Sequence, residues 1–178
     1  MISAAGGGAN TWYLLREGFS VSAFDGSESA IEKTRQKLIR EFGTCEADLR
    51  VRDAIELDYQ DNYFDAVIDN FTIYANMREN IQYMYQECFS KLKAGGKLYT
   101  AGFGMRTTGY QTGARIEENT YHNIPIGPLA DRGTAHFYDD KELHSILEHA
   151  GFSNICINYD LYTDQGNTID IISAIAEK

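Results

Sequence analysis

Apolar residues in this chain fall at helical spacing in some stretches and in alternating or continuous short runs in others, and the switch recurs from one end to the other. Asn10 to Glu17 reads as a helix that stops at Gly18, while "FSVSAFD" (Phe19 to Asp25) alternates and is rich in strand formers. A second helix starts on Ser27 as N-cap and ends at Gly43, with Ala30, Ile31, Leu38 and Phe42 spaced along one side. Leu49 to Arg52 makes a short strand, and the more apolar Phe64 to Ile68 suits a strand buried on both faces. Arg78 to Leu92 is a third helix, ended by Gly95 and Gly96, and a strand follows over Lys97 to Phe103. Gly104 to Thr134 holds both prolines and several glycines without sustained periodicity, which predicts an irregular lid or binding loop. A helix capped by Asp139 or Asp140 and stopped by Gly151 comes next, then "SNICINYDLYT" and "TIDIISAIAEK", two strands joined by the turn-rich "DQGN".

This alternation predicts an α/β fold, a doubly wound and mostly parallel sheet with helices on both faces and a C-terminal antiparallel hairpin. With 178 residues and neither linker nor repeat, residues 1–178 are expected to form a single domain with its lid at about 104–134.

Candidate chemistry begins at Gly6, Gly7 and Gly8, which run straight into the first helix. Bare backbone lets a ligand approach, and a helix N-terminus offers free N–H groups and a positive dipole end. A glycine-rich terminal tail has the same composition. A loop of this kind should follow a strand, yet only Met1, Ile2 and Ser3 are there to form one, so the first strand is expected to be truncated or missing, by nature or by loss of upstream residues. Asp25 lies 17 residues beyond Gly8, at the carboxyl end of the next strand. A carboxylate so placed offers two acceptor oxygens to the vicinal hydroxyls of a ribose, although "DGS" also suits a turn. Asp53 follows the next strand, and Asp69 with Asn70 ends the one after it, so successive strand ends bring small or polar residues to one edge.

A net charge of −10 with a pI near 4.8 argues against a nucleic-acid partner, because such binding draws on Lys and Arg at phosphates. No apolar run spans a bilayer and no secretory leader is visible, which predicts a cytoplasmic protein with no membrane partner. Cys45, Cys88 and Cys156 are odd in number and widely spaced, so neither a disulfide nor a metal site is expected.

The motifs together resemble the class I S-adenosylmethionine-dependent methyltransferases of the small-molecule type. "AAGGGANT" resembles their glycine motif, "FDGSESAI" the ribose-binding acidic motif, "RDAIELDYQDNYFDAVIDN" the adenine-contact and fourth-strand motifs, and "LKAGGKLYTAGF" the fifth-strand motif. The resemblance implies a Rossmann-like fold, S-adenosylmethionine as cofactor, and methyl transfer to a small-molecule acceptor by direct in-line displacement. It implies that Gly6, Gly7 and Gly8, with Ala4 at the family's first glycine, approach the methionine part of the cofactor. Asp25 would bind the ribose hydroxyls with Gly26 beside it, Asp53 the adenine amino group with Ala54 beside it, and Asp69 and Asn70 would border the methionine end and the acceptor. The chain departs from the pattern at Ile2, where the family carries an acidic residue, at Gly26, where an apolar residue usually packs on adenine, and in lacking N-terminal covering helices. Closure would then fall to Gly104–Thr134 or to a second subunit of a homodimer.

On the acceptor side, Tyr74, Tyr110, Tyr121, His122 and His136 lie in or near loops expected over the pocket, with Tyr74 and His122 as the candidates for catalytic roles. Aromatic faces suit a sulfonium or an amine. Two other functions fit parts of the pattern: a degenerate methyltransferase-like binding domain without catalysis, and a nicotinamide-dependent oxidoreductase, whose G-x-G-x-x-G loop is met here by Thr11 at its third glycine.

Overall fold

The structure, a computed structural model, describes residues 2–3 and 6–178. In chain order its elements are β1 (Ile2–Ser3), α1 (Ala9–Arg16), β2 (Ser22–Asp25), α2 (Glu28–Phe42), β3 (Asp48–Val51), β4 (Phe64–Asn70), a 3-10 turn (Ile73–Ala75), α3 (Arg78–Lys91), β5 (Leu92–Gly104), β6 (Ala114–Glu117), β7 (Thr120–His122), β8 (Thr134–Tyr138), α4 (Asp140–His149), β9 (Ser153–Asp164) and β10 (Asn167–Glu177). Strands β3, β2, β1, β4 and β5 run parallel in that order; β10 lies antiparallel beside β5, and β9 antiparallel beside β10. The expected α/β sheet with its closing hairpin is therefore present. Among the described residues β1 is Ile2–Ser3, in which Ile2 pairs with Ala23 and Ile68, and Ser3 with Asp69.

Local chemistry explains the helices. Ser27 accepts the amide of Ala30 at 3.4 Å to open α2, and Asp139 accepts that of Glu142 at 2.7 Å to open α4. Ile31 of α2 packs with Val21 and Ala23, while α3 and α4 bury Ile81, Met84, Tyr85, Leu143 and Leu147 on the main core with Val67, Leu98 and Ile172. Each such side chain contributes about 1.5–3 kcal/mol when fully buried.

Four expectations are corrected. Strand β2 starts at Ser22 and not at Phe19, whose amide instead closes the α1 terminus on the carbonyl of Leu14 at 3.0 Å. β4 is not buried on both faces throughout: Val67 and Asp69 are buried on one face, while on the other Ala66 is exposed and Ile68 half-buried. Gly95 and Gly96 do not stop α3. They lie within β5, where Gly95 takes a φ of 74° and its amide meets the carbonyl of Lys178.

The fourth correction concerns the lid. Residues 104–134 are mostly turns but not wholly irregular: β6 and β7 form a hairpin, and β7 pairs antiparallel with the unpredicted β8, which joins the end of β5 through Phe103–Phe137 and Gly104–Tyr138. The base of this insert is fixed to β10. Arg106 donates Nε to Asp170 Oδ2 at 3.0 Å and a terminal nitrogen to Oδ1 at 2.7 Å, and its amide also reaches Oδ2. Thr107 Oγ1 donates to the Asp170 carbonyl at 3.0 Å and accepts its amide at 3.1 Å.

Candidate functional site

The carboxyl ends of β3, β2, β1, β4 and β5 share one edge, and parallel strands about 4.8 Å apart set the spacing of whatever follows them. Asp53 comes after β3, Asp25 and Gly26 end β2, Gly6–Gly8 follow β1, and Asn70 and Phe71 end β4. This is the crevice in which open parallel sheets hold ligands.

Asp25 is the pivot. Its Oδ2 accepts the amide of Gly6 at 3.0 Å and its Oδ1 that of Ser27 at 2.9 Å, so the carboxylate is turned onto the glycine turn and still half exposed. The turn is held from the other side by Thr34 of α2, which donates its hydroxyl to the Gly6 carbonyl at 3.1 Å. Gly8 caps α1 with φ 72°, and a β-carbon there would meet Thr34 Cγ2 at 2.9 Å, so the close helix approach falls on Gly8 and not on the buried Thr11. Gly7 is exposed, with nothing within 4 Å of where its β-carbon would stand. Gly26 is exposed, with the Arg52 carbonyl 3.9 Å from where its β-carbon would stand, and Arg52 donates its amide to the Asp25 carbonyl at 3.0 Å, which joins the ends of β2 and β3. Asp53 is exposed and accepts the amide of Ile55 at 3.1 Å, while Ala54 packs on the main core. Ala4 lies outside the described residues.

The edge thus brings together Gly6, Gly7, Gly8, Asp25, Gly26, Asp53, Ala54 and Asn70. It does not bring in the carboxylate of Asp69. Along β4 that residue shares the face of Val67 and is fully buried; its Oδ1 accepts the amides of Thr72 and Ile73 at 3.0 and 3.2 Å, and its Oδ2 the hydroxyl of Thr100 at 2.7 Å. A carboxylate so occupied shapes the turn from inside, and Asn70 is the residue half exposed at this strand end.

Tyr74 is buried in an aromatic group with Phe103 at 5.1 Å and Phe71 at 6.3 Å between ring centroids. Burial lifts its hydroxyl above the usual phenol range; the charge of Arg132 opposes this and that of Asp69 adds to it. The group therefore stays protonated at neutral pH, a donor and an apolar wall instead of a base.

His122 is half buried in β7 with Nδ1 3.0 Å from Thr134 Oγ1. Tyr110, Tyr121 and His136 are interior parts of the insert. The Tyr110 hydroxyl donates to Asn119 at 2.9 Å, its ring meets those of Tyr121 and Phe137, and His136 Nδ1 lies 2.8 Å from Thr120 Oγ1. His136 Nε2 stands 3.4 Å from Glu142 Oε2, which Asn119 also reaches at 3.2 Å. Burial alone would raise the Glu142 carboxyl, but the His136 contact, Asn119 and the Arg78 guanidinium together hold it below its usual value.

Sequence reading missed Phe71, Phe103 and Thr34. Phe71 carries a φ of 62°, uncommon for a bulky residue, and its ring lies 5.0 Å from that of Phe103.

The comparisons with known proteins agree with this geometry. The family model described as "Methyltransferase domain" matches residues 3–96. The chain is 28% identical over 106 residues to O-methyltransferase 3 of Dictyostelium discoideum, a match covering 57% of this chain and only 23% of that protein's length. Among solved structures, a SAM-dependent methyltransferase from Methanosarcina mazei superposes with a TM-score of 0.81 at 24% identity, covering 99% of this chain and 90% of that one. The 1,6-didemethyltoxoflavin-N1-methyltransferase of Burkholderia thailandensis, solved with 1,6-didemethyltoxoflavin and S-adenosylhomocysteine, gives 0.73 at 18% identity over 99% and 69% of the two chains.

Proposed function

The chain belongs to the methyltransferase-domain family with its Rossmann-like fold, and from that premise we propose that it transfers the methyl group of S-adenosylmethionine to a small-molecule acceptor. The observation that carries the reading is the Asp25 carboxylate turned onto the amide of Gly6, which sets two acceptor oxygens beside a bare glycine turn at the carboxyl edge of the sheet. The residues fit the cofactor: among the described residues Gly7 leaves open space, and α1 starts with neither a side-chain cap nor an acidic residue in its first turn, which suits its amide end to a carboxylate.

In this reading Gly6, Gly7 and Gly8 hold the methionine part, Asp25 the ribose hydroxyls, Asp53 with Ala54 the adenine, and Asn70 borders the sulfonium side. When bound, S-adenosylmethionine supplies an electrophilic methyl on a positively charged sulfur. The chain's own contribution is positioning and exclusion of water: Asn70 would border the acceptor, and the packed rings of Phe71, Tyr74 and Phe103 would give it an apolar wall. Direct displacement asks for no nucleophilic triad. A small acceptor is supported by the Burkholderia neighbour, which holds 1,6-didemethyltoxoflavin together with S-adenosylhomocysteine.

Titration calorimetry with S-adenosylhomocysteine tests the reading: saturable heat is expected, and its absence at high ligand concentration overturns it. Incubation with methyl-labelled S-adenosylmethionine and a small-metabolite extract should then give a labelled low-mass product. Label found only on protein or nucleic acid counts against the acceptor class.

A further inference from the structure

Behind the acceptor side of the sheet edge runs a buried chain of hydroxyls ending on Asp69. Thr100 of β5 has one hydroxyl hydrogen and gives it to Asp69 Oδ2 at 2.7 Å, so the Tyr85 hydroxyl of α3, 2.9 Å away, donates to Thr100. Tyr85 and Thr100 are both buried, as is Tyr138 in β8. Tyr138 reaches the site through its ring. A β-carbon on Gly102 would come within 2.8 Å of Tyr138 Cε2 and 3.2 Å of Tyr74 Cβ, so both tyrosines close on the same bare stretch of β5. At the other end, Asp69 Oδ1 holds the amides of Thr72 and Ile73, directly after Phe71 in its left-handed conformation. A bulky residue keeps such a backbone only where its surroundings over-determine it.

Resting on the methyltransferase reading, we propose that Asp69 is the positioning residue of the acceptor side: through the amides of Thr72 and Ile73 it locks the Phe71–Ala75 turn, and through Thr100 and Tyr85 it ties that turn to β5 and α3. Its carboxylate touches neither reactant. Its effect is to hold Phe71 and Tyr74 against Phe103.

The experiment compares the full chain with its Thr100→Val, Thr100→Ser and Tyr85→Phe variants by amide hydrogen exchange, taking the Leu38 amide of α2 as the reference for global opening. Losing a hydrogen bond to a buried charge should speed exchange at Thr72 and Ile73 about tenfold or more relative to Leu38 in Thr100→Val. Tyr85→Phe should act in the same direction and more weakly, and Thr100→Ser, which keeps the hydroxyl, should restore the wild-type ratio. Ring resonances of Phe71 should split into more than one set in Thr100→Val and return to one set in Thr100→Ser. Equal acceleration at Leu38 and Thr72, or a serine variant no better than valine, overturns the positioning role. Calorimetry with S-adenosylhomocysteine on the same samples fails separately: a wild-type chain giving no heat counts against the methyltransferase reading, whereas the exchange ratios judge Asp69 in either case.

Discussion

Thr34 of α2 holds the glycine turn from behind, giving its hydroxyl to the Gly6 carbonyl at 3.1 Å while its Cγ2 stands 2.9 Å from where a β-carbon on Gly8 would lie. Helix α2 and the turn are therefore one fitted unit. Gly8→Ala sets a methyl against Thr34 at a φ of 72° that L residues rarely adopt, and should cost about 2–4 kcal/mol of stability together with cofactor binding. Urea unfolding and calorimetry with S-adenosylhomocysteine check both. The double variant Gly8→Ala with Thr34→Ser, which removes Cγ2 and keeps the hydroxyl, should recover part of the stability loss; no recovery would locate the cost in the backbone alone.

Asp25 sits half exposed at the end of β2, so its replacement is expected to spare the fold. Asp25→Ala should weaken S-adenosylhomocysteine by roughly 10- to 100-fold, the range for losing hydrogen bonds to a charged acceptor, while shifting the urea midpoint little. Asp53→Ala, at a more exposed carboxylate, should weaken it by a smaller factor. Equal affinity in Asp25→Ala and the parent would remove the ribose assignment.

The strand-end row was legible because it is local: a β-strand, a turn residue and a helix cap lie within a few positions of one another, and the spacing of Gly8 to Asp25 follows from one helix and one strand. Asp69 was misread although a signal existed. Along β4 it has the same parity as Val67, which points into the core, and the half-exposed residue at that strand end is its neighbour Asn70. Strand β8 was missed because Ala135, His136, Phe137 and Tyr138 are all buried, which erases alternation, and the run is too short to be told from the approach to α4. The left-handed Phe71 had no sequence signal, since the bonds that hold it come from Asp69 and from the Ala101 carbonyl across the sheet.

Glu142 makes a pH-dependent contribution whose sign can be worked out. Its carboxyl lies below the usual 4.5 in the folded chain, so at acid pH the unfolded state binds the extra proton first. The stabilisation is present in full above about pH 4.5 to 5 and is lost as pH falls through the folded value. Urea midpoints measured between about pH 6 and pH 3 should decline less steeply in Glu142→Gln than in the parent chain. Identical slopes would mean that the contacts of Glu142 with His136 and Arg78 carry no net preference for the charged form.

Asp170 and Arg106 fix the base of the insert, and the two sides of the pair differ in burial: the Asp170 side chain is 3% exposed and that of Arg106 is 55% exposed. Removing the Arg106 side chain leaves the buried carboxylate with the Arg106 main-chain amide, whereas removing Asp170 takes away the acceptor on which three donors converge. Breaking a buried pair by deleting one partner typically costs about 3–5 kcal/mol, and the exposed guanidinium here places the pair below that range. Asp170→Ala should therefore destabilise by about 2–3 kcal/mol, Arg106→Ala should also lower the urea midpoint, and a double-mutant cycle should give a non-zero coupling. If the insert acts as a lid fixed at this base, both variants should also speed amide exchange in β6 and β7 more than in α2. A cycle that sums to zero, with exchange raised uniformly, would show that the insert is held by its aromatic packing of Tyr110, Tyr121 and Phe137 and not by the ion pair.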